Sequence, residues 1–570
     1  LKQPNGAQGR HWVGCPAVGA QPSDSSWWRG GVLYQIYPRS FADSSGDGIG
    51  DLRGILDRLD YLAWLGVAGI WLNAVTASPD RDWGYDVSDY RSVHPELGTI
   101  EDLDRLVAEA GRRDIRVLLD IVPNHTGDQH QWFVDARSSL SSPHRDWYVW
   151  ADAKRDGSPP NNWVSVFGGP AWTLDERTGQ YYLHNFLPEQ PDLNWWNEDV
   201  RTEFDDILRF WFDRGVAGFR IDVAHGIVKD RELRDNPPAT EDDPPWVSAL
   251  GQRHVYNLNR PEVHDVLRRW RRIADAYEPR RILVGETWAP DLADLASYYG
   301  REDDELHLAF NVAFVFSPLD ESEMAPIVEE TEKRLSNLGW PAWMASNHDV
   351  GRLASRWCSG DERKARCALM LLFGLLGTPF LYYGDEIGLP DVPVPREDLR
   401  DLLGIRQWPT NPGRDPCRTP MPWTAEEGVG FTRPGVRPWL PFGPARPNVE
   451  DQRDDPGSVL SLCRSLIELR RTTADLRLGS YRRLPSPSGS LAWQRGDRHA
   501  VALNLSDEPV SLETPVGGKV LVGTDPKRTG ERLDGEVALD PWEGVLVSLS
   551  LEAGLKQPDS RAAGTPRPGA

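Results

Sequence analysis

Three short apolar runs in this chain each end in an acid. Val216–Ile221 runs into Asp222, Ile282–Gly285 into Glu286, and Trp343–Ser346 into Asn347, His348 and Asp349. Short apolar runs bounded by turn residues read as fully buried strands. Buried strands that each deliver a carboxylate at the C-terminal edge fit a parallel barrel, which keeps its chemistry at that end. Few other folds bring such acids together.

The rest of the chain agrees with that constraint. Further strand-like runs occur at Val32–Tyr37, Gly69–Leu72, Arg116–Ile121, Leu306–Phe310 and Pro379–Tyr383. Amphipathic stretches such as Ile100–Ala110 and Pro261–Tyr277 lie between them. Eight strands alternating with helices predict an α/β fold of the (β/α)8 TIM-barrel type. The gap between the third and fourth strands is too long for a loop, so residues 126–194 read as an inserted subdomain. Residues 27–125 and 195–480 then form the barrel. Short alternating strands with Gly, Asp and Pro turns predict a sandwich-like antiparallel β-domain over residues 481–551. Residues 1–26 read as a loose arm and 552–570 as a disordered tail.

A formal charge of −22 argues against nucleic acid and anionic membranes as partners and suits a neutral polar substrate. No apolar run approaches the roughly 18 residues of a membrane span. The first 26 residues lack the apolar core of a signal peptide. The five cysteines, Cys15, Cys358, Cys367, Cys417 and Cys463, are scattered, without zinc spacing or a disulfide framework. A reducing, cytoplasmic setting is the expectation.

Cleaving a glycosidic bond takes two carboxyl groups, one to attack C1 or activate water and one to protonate the leaving oxygen. Asp222 and Glu286 stand in suitable places. Arg220 shares the face of Asp222 because strand side chains alternate with period two, and a neighbouring cation favours an ionised nucleophile. Trp288, two residues after Glu286, reads as an aromatic wall that raises the acid's pKa. The loop Asp43-Ser-Ser-Gly-Asp-Gly-Ile-Gly-Asp51 places oxygen donors at Asp43, Ser45, Asp47, the Ile49 carbonyl and Asp51, the spacing of half a calcium loop.

The motifs arrive in a recognisable order: V-L-Y-Q-I-Y-P-R-S-F at 32–41, D-I-V-P-N-H at 120–125, Q-P-D-L-N at 190–194, G-F-R-I-D, G-E-T-W, S-N-H-D, and L-Y-Y-G-D-E-I-G at 381–388. The chain resembles the α-amylase family, glycoside hydrolase family 13, and within it the α-glucosidase and oligo-1,6-glucosidase branch. The resemblance implies that Asp222 is the nucleophile, Glu286 the general acid/base, and Asp349 the carboxylate that grips sugar hydroxyls. It implies that Asp82, Tyr85, His125, Arg220 and His348 line the pocket for the terminal sugar, with Phe167 and Phe186 as aromatic walls. Arg418, in R-D-P-C-R-T-P-M-P-W, is then expected to pair with Asp82 and close the pocket at the 4-hydroxyl. The matching loop of this branch holds a structural Ca²⁺ or Mg²⁺, which transfers to Asp43, Ser45, Asp47, Ile49 and Asp51. Ala74 and Trp196 depart from the usual pattern at the substrate entrance.

The expectation is therefore an exo-acting, retaining α-glucosidase for short α-glucosides and maltooligosaccharides, with transglucosylation. Rival readings are an oligo-1,6-glucosidase, a dedicated glucosyltransferase and, remotely, a non-catalytic partner module. Val223 follows the nucleophile, a place where Val accompanies α-1,6 cleavage in the resembling branch. The context V-A-H-G at 223–226, with His225 available to the +1 sugar, resembles α-1,4-acting members and favours maltose.

Overall fold

The computed structural model describes residues 26–243, 245–289, 291–513 and 517–550. The tail expected at 552–570, Cys15, and the expected arm apart from Ser26 lie outside the described residues.

Eight parallel strands form the central barrel: β1 (Leu33–Ile36), β2 (Gly69–Leu72), β3 (Arg116–Ile121), β4 (Gly218–Ile221), β5 (Ile282–Gly285), β6 (Leu308–Ala309), β7 (Ala342–Met344) and β8 (Thr378–Tyr382). They pair in the order β6-β5-β4-β3-β2-β1-β8-β7. A parallel bridge between Phe310 and Ala342 joins the two ends and closes the ring. The α/β barrel read from the sequence is the observed fold.

The strands are buried on both faces, as parallel strands covered by helices are. The inward set, including Leu33, Trp71, Leu118, Ile282, Val284, Leu308, Ala342, Met344 and Phe380, packs into one apolar plug. The alternating outward residues, such as Tyr34, Ile70, Leu119, Phe219 and Leu283, pack in the core that includes the surrounding helices. Two residues further along most of these strands the inward position turns polar. Gln35 follows Leu33, Asn73 follows Trp71, Asp120 follows Leu118, Glu286 follows Val284, and Ser346 and His348 follow Met344. On β4 the inward series is Gly218, Arg220, Asp222. The period-two rule thus stacks a polar layer on an apolar one at the C-terminal rim.

Helices around the barrel start on clear signals. Thr99 and Asp102 form a reciprocal capping box on Ile100–Gly111, and Asn197 caps Glu198–Asp213 through Asp199 N. Helix Val263–Asp275 buries Val263, Val266, Leu267, Trp270, Ile273 and Ala274, a single stripe at helical spacing.

Residues 126–194 carry the helix Gln131–Ala136 and a three-stranded antiparallel sheet with Gln180–Leu183 between Trp150–Asp152 and Trp172–Asp175. A second long excursion follows β4, and its Leu233 and Tyr256 pack against the cluster that holds Trp172 and Leu183 of this sheet. Trp163 Nε1 donates to Arg234 O at 2.8 Å, and Asn257 Nδ2 to Asn185 Oδ1 at 2.8 Å. Beyond the barrel lies a six-stranded antiparallel sheet plus a two-stranded one. Arg495 docks it by donating to Gly374 O at the end of helix Glu362–Gly374, whose neighbouring carbonyls, Phe373 O and Leu375 O, are satisfied by the buried Arg470 of helix Val459–Thr472. No described helix is long and apolar enough to cross a membrane. Cys358, Cys367, Cys417 and Cys463 are unpaired and buried.

Candidate active site

The three carboxylates meet at the C-terminal mouth of the barrel, around Arg220. Its guanidinium lies in the barrel, 1% exposed, touching Asp222 Oδ1 at 2.7 Å with Nη1 and Glu286 Oε2 at 2.7 Å with Nη2. Asp120, at the end of β3, stands 3.5 Å from the same Nη1. One cation therefore serves three acids. Burial pushes Asp222 well above the usual carboxylate range; Arg220 pulls it back, and Glu286, Asp120 and Asp349 push it further up. Burial likewise lifts Asp120 to about 6. Arg220 thus favours the ionised form of Asp222, as its place on the strand implied, but the guanidinium is shared among three acids and burial opposes it.

Glu286 is held from two sides. Val223 N donates to Oε2 at 2.9 Å and Trp288 Nε1 to Oε1 at 3.0 Å. Trp288, read from the sequence as an aromatic wall, also donates a hydrogen bond to the acid.

Asp349 answers to a different pair of cations. Arg418 Nη2 lies 2.9 Å and Arg414 Nη1 3.2 Å from its Oδ1, and His348 Nε2 lies 3.2 Å from its Oδ2. Burial works against the charge, but His348, Arg414 and Arg418 outweigh it and hold Asp349 below the ordinary range. Burial also holds His348 well below its usual pKa, so it is neutral. Its Nδ1 receives Gln35 Nε2 at 3.0 Å, which leaves the proton on Nε2, 2.7 Å from the Tyr85 oxygen. Tyr85 in turn donates to Asp120 at 2.5 Å.

His125 is also buried, and its pKa is pushed down to about 3 by that burial. Its Nε2 lies 3.0 Å from Tyr85 O, and its Nδ1 faces Asn124 Nδ2 at 3.0 Å. Phe186 packs 5.2 Å from its ring and Phe167 5.8 Å from Phe186. His225 is buried, with Nδ1 3.2 Å from the Glu286 carbonyl, so only Nε2 is left for a sugar.

One pairing differs from expectation. Asp82 is bound by Arg414, not by Arg418: Arg414 Nη2 donates to Asp82 Oδ1 at 2.6 Å. Arg418 is fully buried four residues on, donating to His348 O at 2.7 Å and lying over the Tyr37 ring. Both arginines lie in one motif, and the turn Asp415–Cys417 between them directs them to different partners. Arg414 was the residue sequence reasoning missed. Gln190, which donates to Asp82 Oδ2 at 3.2 Å, was quoted only as part of Q-P-D-L-N.

The alpha amylase catalytic-domain family model matches residues 35–479, and a domain of unknown function, DUF3459, matches residues 478–546. The chain belongs to the alpha-amylase family. It is a glycoside hydrolase. The enzyme is 42% identical over 544 residues to a "Probable alpha-glucosidase" of Rhizobium meliloti, covering 92% of this chain and 98% of that one. It is 38% identical to an "Oligo-1,6-glucosidase" of Heyndrickxia coagulans, over 88% of this chain and 96% of the relative. The crystal structure of the alpha-glucosyl transfer enzyme XgtA superposes with a TM-score of 0.86 at 40% identity, covering 92% of this chain and 99% of that one.

The loop Asp43–Asp51 lies apart from these acids. Asp43 accepts from Gly46 N, Gly48 N, Ser45 Oγ and Thr432 Oγ1, while Asp51 caps helix Leu52–Asp57 and accepts from Ser44 and Ser45. Asp43 and Asp51 thus meet at Ser45 from opposite sides. Oxygens bound to one Ca²⁺ at about 2.3–2.6 Å lie within about 5 Å of each other. Among the described residues, only Asp80, His94 and Glu96 form a group of three acids or histidines that close, and Arg39 already bridges Asp80 and Glu96. The donor types at Asp43–Asp51 fit a hard cation, which would have to draw the three carboxylates closer than they stand.

Proposed function

We propose that the enzyme is an exo-acting, retaining α-glucosidase that removes terminal glucose from short α-glucosides. The observation that carries this reading is the buried Arg414–Asp82 pair beside Asp349. A paired carboxylate and guanidinium suit recognition of a sugar's terminal 4-hydroxyl and would close the pocket behind it. Asp222 attacks C1 while Glu286 protonates the leaving oxygen; a β-glucosyl-enzyme forms, and Glu286, now a base, activates water to release α-glucose. An alcohol in place of water gives transfer, which the likeness to a glucosyl transfer enzyme supports.

For linkage, α-1,4 is the favoured reading, on the 223–226 context. The second reading, α-1,6, rests on Val223 and on relatives named oligo-1,6-glucosidase. Product analysis on maltose, isomaltose, sucrose and soluble starch tests both: maltose should exceed isomaltose in kcat/KM, and starch should lose iodine colour slowly. A tenfold preference for isomaltose reverses the linkage reading, and rapid starch depolymerisation removes the exo reading. The loop Asp43–Asp51 is proposed to take a structural Ca²⁺ or Mg²⁺. Four buried, unpaired thiols suit work in the cytoplasm.

A further inference from the structure

Asp401 stands outside the Arg414–Asp82 pair, yet it holds the arginine of that pair. It is fully buried at the start of helix Leu402–Gln407, which its side chain caps. Its carboxylate receives Arg414 Nε at 3.1 Å, Arg414 Nη2 at 2.7 Å and the Arg414 backbone N at 2.7 Å. Arg414 is left with Nη1 on Asp349 and the shared Nη2 on Asp82.

Asp401 is itself fixed. Asp415 Oδ2 accepts Asp401 N at 2.9 Å and Arg400 N at 2.6 Å. Gly413, at φ 72°, packs so closely that a Cβ there would sit 2.5 Å from Asp401 Oδ2. The long loop between Leu399 and Arg418 is thus folded around one fork-to-fork pair. An arginine facing three carboxylates has several ways to satisfy itself, and a bidentate partner on its Nε edge selects one of them.

We infer that Asp401 is a positioning residue for recognition of the terminal sugar, acting through Arg414 to hold its Nη edge against Asp82 and Asp349. This rests on the reading of Arg414 and Asp82 as the 4-hydroxyl clamp. Small displacements of a substrate-orienting group are costly, on the order of 10²-fold in turnover.

The test compares the purified full-length enzyme with Asp401→Ala, Asp401→Asn, Arg414→Ala and the double variant Asp401→Ala/Arg414→Ala. Each is assayed on p-nitrophenyl α-glucoside and on its 4-deoxy analogue, with melting temperatures alongside. Asp401→Ala should lose about 10²-fold in kcat/KM on the glucoside and far less on the 4-deoxy substrate, so that discrimination collapses. Asp401→Asn, which can still accept from Nε, should keep more of it. The double variant should match Arg414→Ala. Additive losses in the double variant, or equal losses on both substrates, overturn the role assigned to Asp401. If Arg414→Ala itself keeps full discrimination against the 4-deoxy substrate, the clamp reading fails instead. Should Asp401→Ala not fold, Asp401→Asn with the same two substrates decides.

Discussion

Val223 donates its backbone N–H to Glu286 at 2.9 Å while held at φ 45° and ψ 45°. That left-handed conformation is costly for a β-branched residue, of order 1–3 kcal/mol. The turn that follows the nucleophile is therefore strained in the conformation that points a donor at the acid. Gly226 keeps it there: a Cβ at Gly226 would lie 2.6 Å from Val223 Cγ1 and 3.2 Å from Asn124 Oδ1.

Gly226→Ala should push Val223 out of this position. The expected cost is about 1–3 kcal/mol of stability from overpacking, together with a fall in kcat larger than the change in KM. Urea denaturation and steady-state kinetics on one preparation check both. Unchanged kcat in a destabilised protein would show that the turn is structural and does not orient Glu286.

Asp222→Ala should lose at least about 10⁴-fold in kcat, roughly 5.4 kcal/mol of barrier. Because the residue is assigned as nucleophile, added azide should restore turnover and yield the β-glucosyl azide. The same rescue of Glu286→Ala should yield the α-azide, since the glucosyl-enzyme still forms on Asp222. Azide products of the opposite configuration would exchange the two roles.

The barrel and its catalytic acids were legible because they obey a local rule. Inward positions alternate along each strand, so Arg220 and Asp222 could be placed on one face from their spacing alone. Arg414 was not legible in the same way. It lies in a loop with no periodicity, four residues from a second arginine, and its partner Asp82 is 332 residues away. The turn Asp415–Cys417 and the pairing of Arg414 with Asp401 send that guanidinium to Asp82, and neither has a local sequence signal. The hydrogen bond from Trp288 was missed for a related reason: an indole reads as apolar until its N–H direction is known. The packing of Leu233 and Tyr256 against the cluster of the inserted sheet had no signal beyond the length of the connection.

The two arginines should separate in experiment. Arg418 is wholly buried, with Asp349 and the His348 carbonyl depending on it. Arg418→Ala should destabilise by about 3–5 kcal/mol, the effect of breaking a buried pair. Arg414→Ala, which strips the buried Asp401 and Asp82 of their cation, should destabilise by a similar amount and raise KM more. An equal change of KM in both would contradict this division.

Glu332 sits half-buried on helix Glu321–Leu335, where the barrel meets the C-terminal domain, and its Oε1 has no hydrogen-bond partner. Burial pushes its pKa up to about 8, against the pull of Arg495. An unfolded glutamate titrates near about 4.3. The folded pKa is thus the higher one: its contribution is fully present below about pH 4 and is lost as pH rises through about 8. Glu332→Gln should match the parent near pH 4 and exceed it by about 1–3 kcal/mol at pH 8, allowing for partial exposure. Denaturation curves at the two pH values read the difference directly. A constant gap at both would mean that packing, not ionisation, is what the substitution changes.

Asp47 is the exposed acid of the Asp43–Asp51 loop, and its carboxylate accepts from Ile49 N at 2.9 Å. Asp43 and Asp51 hold the loop closed without a cation, so removing metal should not unfold it. Bound Ca²⁺ should still add stability by mass action, roughly 2.7 kcal/mol at about 100 times Kd. Melting temperature should therefore fall in chelator and return with Ca²⁺, while kinetics well below the transition stay the same. Asp47→Ala removes a candidate ligand without disturbing the bonds that Asp43 and Asp51 make. The variant should melt like the parent in chelator and gain little from Ca²⁺. If the parent itself gains nothing from Ca²⁺ or Mg²⁺, and elemental analysis finds neither, the loop is a self-closed turn and the proposed ion is wrong.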